Sequence, residues 1–203
     1  MQIARLDARC QWRKAKAGAF LVYENNEIKG ISILTKGCAR LVRIVNGREI
    51  ILRDIFEGEY FGYPEEMPIS SQVVAVSDSV VARMPARMFR DVIREHPSVC
   101  EHVLTTLSDR VRLLSDRFSE TVALNLRGRL CAELLRLSRR TLQNRLAISP
   151  PPTHFEIAAR LGTGREAVTK LLIGLERDGL ISRNRSAIAL TNCNRLETIA
   201  TGG

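Results

Sequence analysis

Hydrophobic and polar positions follow two rhythms along the chain, one for each kind of secondary structure. From Cys10 to about Pro85 short apolar runs succeed one another: FLVY (Phe20 to Tyr23), ISIL (Ile31 to Leu34), ARLVRIV (Ala39 to Val45), EIILRDI (Glu49 to Ile55), QVVAV (Gln72 to Val76) and SVVARM (Ser79 to Met84). The turn pairs Asn25-Asn26, Lys36-Gly37, Asn46-Gly47 and Glu57-Gly58 divide them. Runs of this length predict strands, and Asn-Gly is a strong two-residue hairpin signal because both residues tolerate positive φ. Several strands at this spacing predict an antiparallel sandwich or barrel.

After Pro85 the period lengthens. Met88, Phe89, Val92 and Ile93 fall on one side of a short helix over residues 85–96, which Pro97 ends. Ser98 with Glu101 predicts the capping box of a much longer helix. In it Leu104, Leu107, Val111, Leu114, Phe118 and Thr121 recur at alternating steps of three and four. Such a seam either packs on its own domain or pairs with a second copy of itself; its length, and its place between two domains, favour a parallel homodimer helix. A further amphipathic helix is predicted from Leu124 to Leu142, with Leu126, Leu130, Leu134 and Leu137 inward, then a connector over residues 143–152 that ends in three prolines.

The stretch from Thr153 to Ile181 carries two helix starts. Thr153 precedes Glu156, and Thr163 precedes Glu166, each at the capping-box distance. Ile157, Ala158 and Leu161 share a face of the first helix, Val168, Leu171, Leu172 and Leu175 of the second, and Gly162 lies between. This is the pattern of a helix-turn-helix. ISRNRSAIAL (Ile181 to Leu190) then predicts two short strands about a polar tip, the wing of a winged helix. Nothing is legible after Thr191.

The second helix presents chemistry on its other face. With Arg165 at zero, Thr169 falls near 40°, Glu166 near 100° and Lys170 near 140°, at about 100° per residue. A guanidinium fork fits the acceptor edge of guanine, a carboxylate accepts from cytosine N4, and Lys reaches guanine or phosphate. Thr163, Arg165, Glu166, Thr169 and Lys170 are therefore the expected DNA-reading group, with Arg183 and Arg185 in the wing as phosphate contacts.

Charge and composition change the picture only slightly. The net charge of +9 suits a polyanion, yet residues 150–203 carry only 7 Lys and Arg against 5 Asp and Glu. The densest basic run is Arg127, Arg129, Arg136, Arg139, Arg140 and Arg145, opposed by Glu133 alone; it either adds to a phosphate-facing field or is the solvated side of a helix. Five single cysteines and three histidines give no metal, cluster or disulfide spacing, so no metal and no cofactor are expected. No nucleophile-base pair or Gly-rich phosphate loop points to an enzyme. No run approaches a membrane span and the first residues lack a signal-peptide core, so a cytoplasmic protein without membrane partners is expected.

The segments CQWRKAKAG, GREIILRDIFEGEYFG (Gly47 to Gly62), REHPSV, RVRLLSDR and THFEIAARLGTGREAVTKLLIGLERDGLI resemble the transcription regulators of the cyclic-AMP receptor protein and FNR (CRP/FNR) family, over about Cys10 to Leu196. The resemblance implies an α+β chain: an N-terminal antiparallel β-roll of the cyclic-nucleotide-binding kind over residues 1–97, a dimerisation helix over 98–122 and a winged helix-turn-helix over 123–203. It implies a homodimer on double-stranded DNA with two-fold-related half-sites, and contact with RNA polymerase. The family pattern R-E-x-V-x-R falls on Arg165, Glu166, Val168 and Lys170, where Lys keeps the cation and loses the fork.

The sensor departs from the family. Nucleotide-binding members follow Phe-Gly with a Glu for the ribose and later an Arg for the cyclic phosphate; here Phe61-Gly62 is followed by Tyr63, and no Arg occurs between Asp54 and Arg83. Glu65 and Glu66 would repel a phosphate, and Pro64 and Pro68 oppose the small helix of that site. Gly62, Tyr63, Glu65, Ser70 and Ser71 are what remains as an effector-pocket group, one not expected to bind cyclic AMP in the family manner. Iron-sulfur members use a group of N-terminal cysteines, where this chain has Cys10 alone, and haem-sensing members an axial ligand from the roll, where no His precedes His96. The alternative is a small-molecule or thiol switch at Cys38, Cys100 or Cys193 that gates DNA binding, or simply small buried hydrophobes at those positions.

Overall fold

The computed structural model describes residues 10–22, 30–63, 71–141 and 144–202. The Asn25-Asn26 turn, the side chain of Tyr63, and Pro64, Glu65, Glu66, Pro68 and Ser70 lie outside the described residues. Contacts divide the chain into Met1–Leu107 and Ser108–Gly203, a division that falls inside the long helix.

Among the described residues of the first unit, eight strands form two antiparallel sheets. β1 (Gln11–Ala15), β3 (Gly30–Lys36), β6 (Tyr60–Tyr63) and β8 (Ser79–Pro85) lie in the order β1-β8-β3-β6, and β2 (Phe20–Val22), β4 (Ala39–Val45), β5 (Arg48–Ile55) and β7 (Gln72–Ala75) in the order β2-β7-β4-β5. Val22, Leu34, Ala39, Ile55, Phe61, Val73 and Val81 come from both sheets and fill one core between them. Val45 pairs with Arg48, so Asn46-Gly47 closes a two-residue hairpin, and both turn residues have positive φ (50° and 73°) as a primed turn demands. α1 (Ala86–Glu95) puts Phe89 and Val92 against Ile31 and Met84, with Val99 and Val103 from the start of α2 (Pro97–Ala123) beside them.

Helix α2 begins at Pro97, a favoured first position, and the amides of Val99 and Cys100 donate to the His96 carbonyl. Ser98 is thus inside the helix and not its cap, a correction to the sequence reading. Past Val103 the apolar stripe is bare: Leu104, Leu107, Val111, Leu114, Phe118 and Val122 are all exposed, Val122 at 72%. Thr121 is also exposed and bonds back to the Arg117 carbonyl.

The second unit is built on a small sheet. α3 (Leu126–Leu137) is capped by the Asn125 side chain and stops well short of Leu142, because the chain turns into strand β9 (Arg139–Arg140). β9 pairs with β10 (Leu146–Ile148), and with the wing strands β11 (Ile181–Arg183) and β12 (Ile188–Leu190) they make a four-stranded sheet in the order β11-β12-β10-β9. The expected connector over residues 143–152 therefore contains a strand. α4 (His154–Leu161), α5 (Arg165–Arg177) and α6 (Cys193–Ala200) pack Ile157, Leu161, Val168, Leu172, Leu175 and Leu196 with Leu130 and Leu134 into one core. α6 lies in the tail where the sequence was silent; its Asn192 cap accepts from the Arg195 amide, and Leu196 is fully buried.

Candidate nucleic-acid interface

The reading head is assembled by local signals. Thr153 forms the expected capping box: its hydroxyl accepts from the Glu156 amide while Glu156 accepts from the Thr153 amide. Gly162 ends α4 in the left-handed region, at φ 63°, and returns its amide to the Ala158 carbonyl. The second box does not form. Gly164 and not Thr163 occupies the N-cap of α5, and no side chain caps it. A glycine cap leaves the first amides of α5 without a side-chain acceptor at an end that carries partial positive charge, which favours an anion there.

Arg165, Glu166 and Lys170 are exposed on α5, while Val168, Leu172 and Leu175 are buried. Thr163 and Thr169 are half-buried. Thr169 is already engaged: its hydroxyl donates to the Arg165 carbonyl at 3.0 Å and lies 2.8 Å from His154 Nδ1. At about 100° per residue Ile173 falls on the same face as Arg165 and Glu166. It is 54% exposed, an apolar group the sequence reading overlooked and one suited to a thymine methyl.

The wing carries Arg185 at its exposed tip, between β11 and β12. Arg183, at the end of β11, is turned inward: Nε and Nη2 donate to Glu176 Oε2 at 3.1 and 2.7 Å, and its amide donates to Oε1. That bond from Arg183 holds the Glu176 carboxyl below its ordinary range. Burial, helped by the charges of Arg183 and Arg165, holds His154 below its ordinary value of 6.5.

The basic run of α3 and β9 splits in two, which the alternatives of phosphate field and solvated face did not foresee. Glu133 is buried, at 2% exposure, and receives Arg117 (3.3 Å), Arg136 and Arg160 (3.6 Å). Arg136 also pairs with Glu120, Arg127 donates to Asp178 at 2.7 Å, and Arg129 donates to the Leu161 carbonyl. Burial lowers the pKa of Arg117 against the pull of Glu133; for Arg136 burial acts the same way, but Glu133 and Glu120 carry it above its ordinary value. Both stay charged. Arg139, Arg140 and Arg145 remain exposed.

Of the effector-pocket group, Gly62 and Ser71 are half-buried and Tyr63 pairs through its backbone with Gly30. Cys131 is a core residue whose thiol burial pushes up to about 11, and Cys10, Cys38, Cys100 and Cys193 are half-buried. Among the described residues no group of His, Cys, Asp or Glu could hold a metal ion, and no helix is long and apolar enough to cross a membrane.

A capped helix, a glycine turn, a second helix with an exposed charged face and a two-stranded wing define a winged helix-turn-helix, a class that binds duplex DNA. Residues 128–199 match the Crp-like helix-turn-helix domain family and residues 12–96 the cyclic nucleotide-binding domain family. The cAMP-activated global transcriptional regulator CRP of Pasteurella multocida is 27% identical over 188 residues, 89% of this chain and 90% of that protein. The Cyclic AMP receptor protein of Thermus thermophilus is 27% identical over 196 residues, 95% of this chain and 89% of that one. A CooA mutant from Carboxydothermus hydrogenoformans has the same fold, with a TM-score of 0.86 at 21% identity over 97% of this chain and 90% of that one. The chain belongs to the CRP/FNR family of DNA-binding transcription regulators.

Proposed function

We propose that this regulator reads DNA as a homodimer, with α5 of each protomer in the major groove of one of two symmetry-related half-sites. The stripe on α2 carries the reading: Leu104, Leu107, Val111, Leu114, Phe118 and Val122 are each at least 45% exposed. A contiguous apolar stripe of this kind is unfavourable in water, and a second α2 running parallel supplies a self-complementary cover. Two-fold pairing then presents two reading heads to half-sites about 34 Å apart. Within each half-site Arg165, Glu166 and Lys170 meet base edges, Arg185 and the open start of α5 beside Thr163 meet phosphates, and Thr169 and Arg183 act by shaping that surface.

The relatives named above are described as activated by cyclic AMP or as its receptor. This chain is read as not binding it in that manner, since the stretch between Asp54 and Arg83 supplies no guanidinium for a cyclic phosphate. Contact with RNA polymerase follows from the family likeness alone.

Selection of bound DNA from a random pool, with and without cyclic AMP and under oxidising and reducing conditions, tests the reading. A palindromic site enriched equally in every condition is expected. Enrichment only with the nucleotide overturns the effector reading, and enrichment that tracks redox state moves sensing to a thiol. Leu114→Glu should turn the dimer into a monomer in sedimentation and weaken operator binding. A dimer that survives it removes α2 from the interface.

A further inference from the structure

Three elements of the reading head meet at one imidazole. His154, the first residue of α4, has Nδ1 2.8 Å from Thr169 Oγ1 on α5 and Nε2 3.5 Å from Arg183 Nη1 on β11. The direction of each bond follows from the two ends of the chain. The single Thr169 hydroxyl proton goes to the Arg165 carbonyl, so Oγ1 accepts from His154 and Nδ1 bears the ring proton. Arg183 can only donate, so Nε2 is the unprotonated nitrogen. The rest of the guanidinium is held by Glu176. The ring in this arrangement is neutral and is the Nδ1–H tautomer.

We propose that His154 is a positioning residue for DNA reading: as a neutral relay it ties the wing to the recognition helix, so that base discrimination by α5 depends on Arg183 through this ring. The proposal rests on the reading of α5 as the DNA-contacting helix. Thr169 and Arg183, both expected from the sequence to touch DNA, thereby gain a role that needs no contact with it.

The relay also has a charge state. Facing His154 are Arg165 from α5 and Arg183 from β11, the latter partly neutralised by Glu176, while Glu156 on its own helix is turned to the Thr153 cap. Protonation would set an Nε2–H against the Arg183 N–H and break the link. Because burial and the two arginines lower the folded-state pKa, the fold holds this proton less tightly than the unfolded chain. The contribution of the relay is therefore complete above about 6.5. It is lost as pH falls through the lower folded value.

Binding of the intact protein to its selected operator and to a scrambled duplex of equal length, above and below the histidine range, tests this. Above it, His154→Ala, Arg183→Ala and the double variant should each lose about fivefold or more in discrimination, the double no more than either single, as coupled partners do. His154→Asn can keep a donor for Thr169 where Nδ1 lies, but its side chain ends short of the Nε2 position that faces Arg183, so it should lose discrimination as Arg183→Ala does. Below it, the wild type should fall to the level of His154→Ala, which itself should not respond to pH. Additive losses, or the same pH profile in His154→Ala as in the wild type, overturn the proposal. A wild type with no operator preference at any pH overturns the DNA reading and the proposal with it. The imidazole nitrogen shifts of the DNA-free protein test the relay independently of that reading: an Nδ1–H tautomer supports it, and an Nε2–H tautomer overturns it.

Discussion

Two groups of arginines within one unit have opposite fates. Arg117, Arg136 and Arg160 converge on the buried carboxylate of Glu133, whereas Arg165 and Arg185 stand exposed on the recognition helix and the wing tip. The larger group is thus paired and mostly buried. Its charge is spent joining α2, α3 and α4, and a helix-turn-helix of small net charge is left to supply specificity by geometry. Charge density along a sequence measures how much cation is present; only burial and pairing decide how much of it DNA can meet.

Breaking each group separately sharpens that contrast. Glu133→Ala removes the buried carboxylate that three guanidiniums share and should cost about 3–5 kcal/mol in urea unfolding of the intact protein. A cost below about 1 kcal/mol would mean the cluster is solvated in practice. Next in size, Arg165→Ala should leave stability unchanged and remove about 1–3 kcal/mol of discrimination between the operator and a variant altered at one base pair. Arg127→Ala is a smaller test from the inward side. Its pair with Asp178 is about one-third exposed, so a change in stability under about 1 kcal/mol and none in operator preference is expected. Smallest is Arg185→Ala, which should weaken all sequences alike and show mainly as a salt slope shallower by about one.

The helix-turn-helix and most of the roll were legible because their signals are local. Thr153 and Glu156 are three residues apart, and Asn46-Gly47 closes its own hairpin, so neither needs knowledge of the rest of the fold. What was missed depends on distant partners. β1 reads QWRKA and is exposed along nearly its whole length; it is a strand only because β8 offers it an edge. β9 and β10 are too short to announce themselves; β10 exists through pairing with a wing strand some forty residues on, and β9 through pairing with β10. Glu133 draws its arginines from three helices, which no helical wheel reveals. Thr163 failed as a cap because a glycine one residue later could take the position, and His154 was passed over because its partners lie on α5 and the wing.

The pairing of β10 with β12 has one more consequence. Ile148 lies opposite Ile188, so both helices of the reading head and the tip of the wing are a single excursion of residues 149–187 whose two ends are fastened side by side. Ser149 Oγ donates to the Ser186 carbonyl just beyond that pair and closes the neck further. A segment anchored at adjacent points can be exchanged for another of similar span with little added loop-closure entropy. The operator preference of such a protein is in effect carried on a cartridge, replaceable from a related regulator by transplanting those residues while α2 is left as it stands.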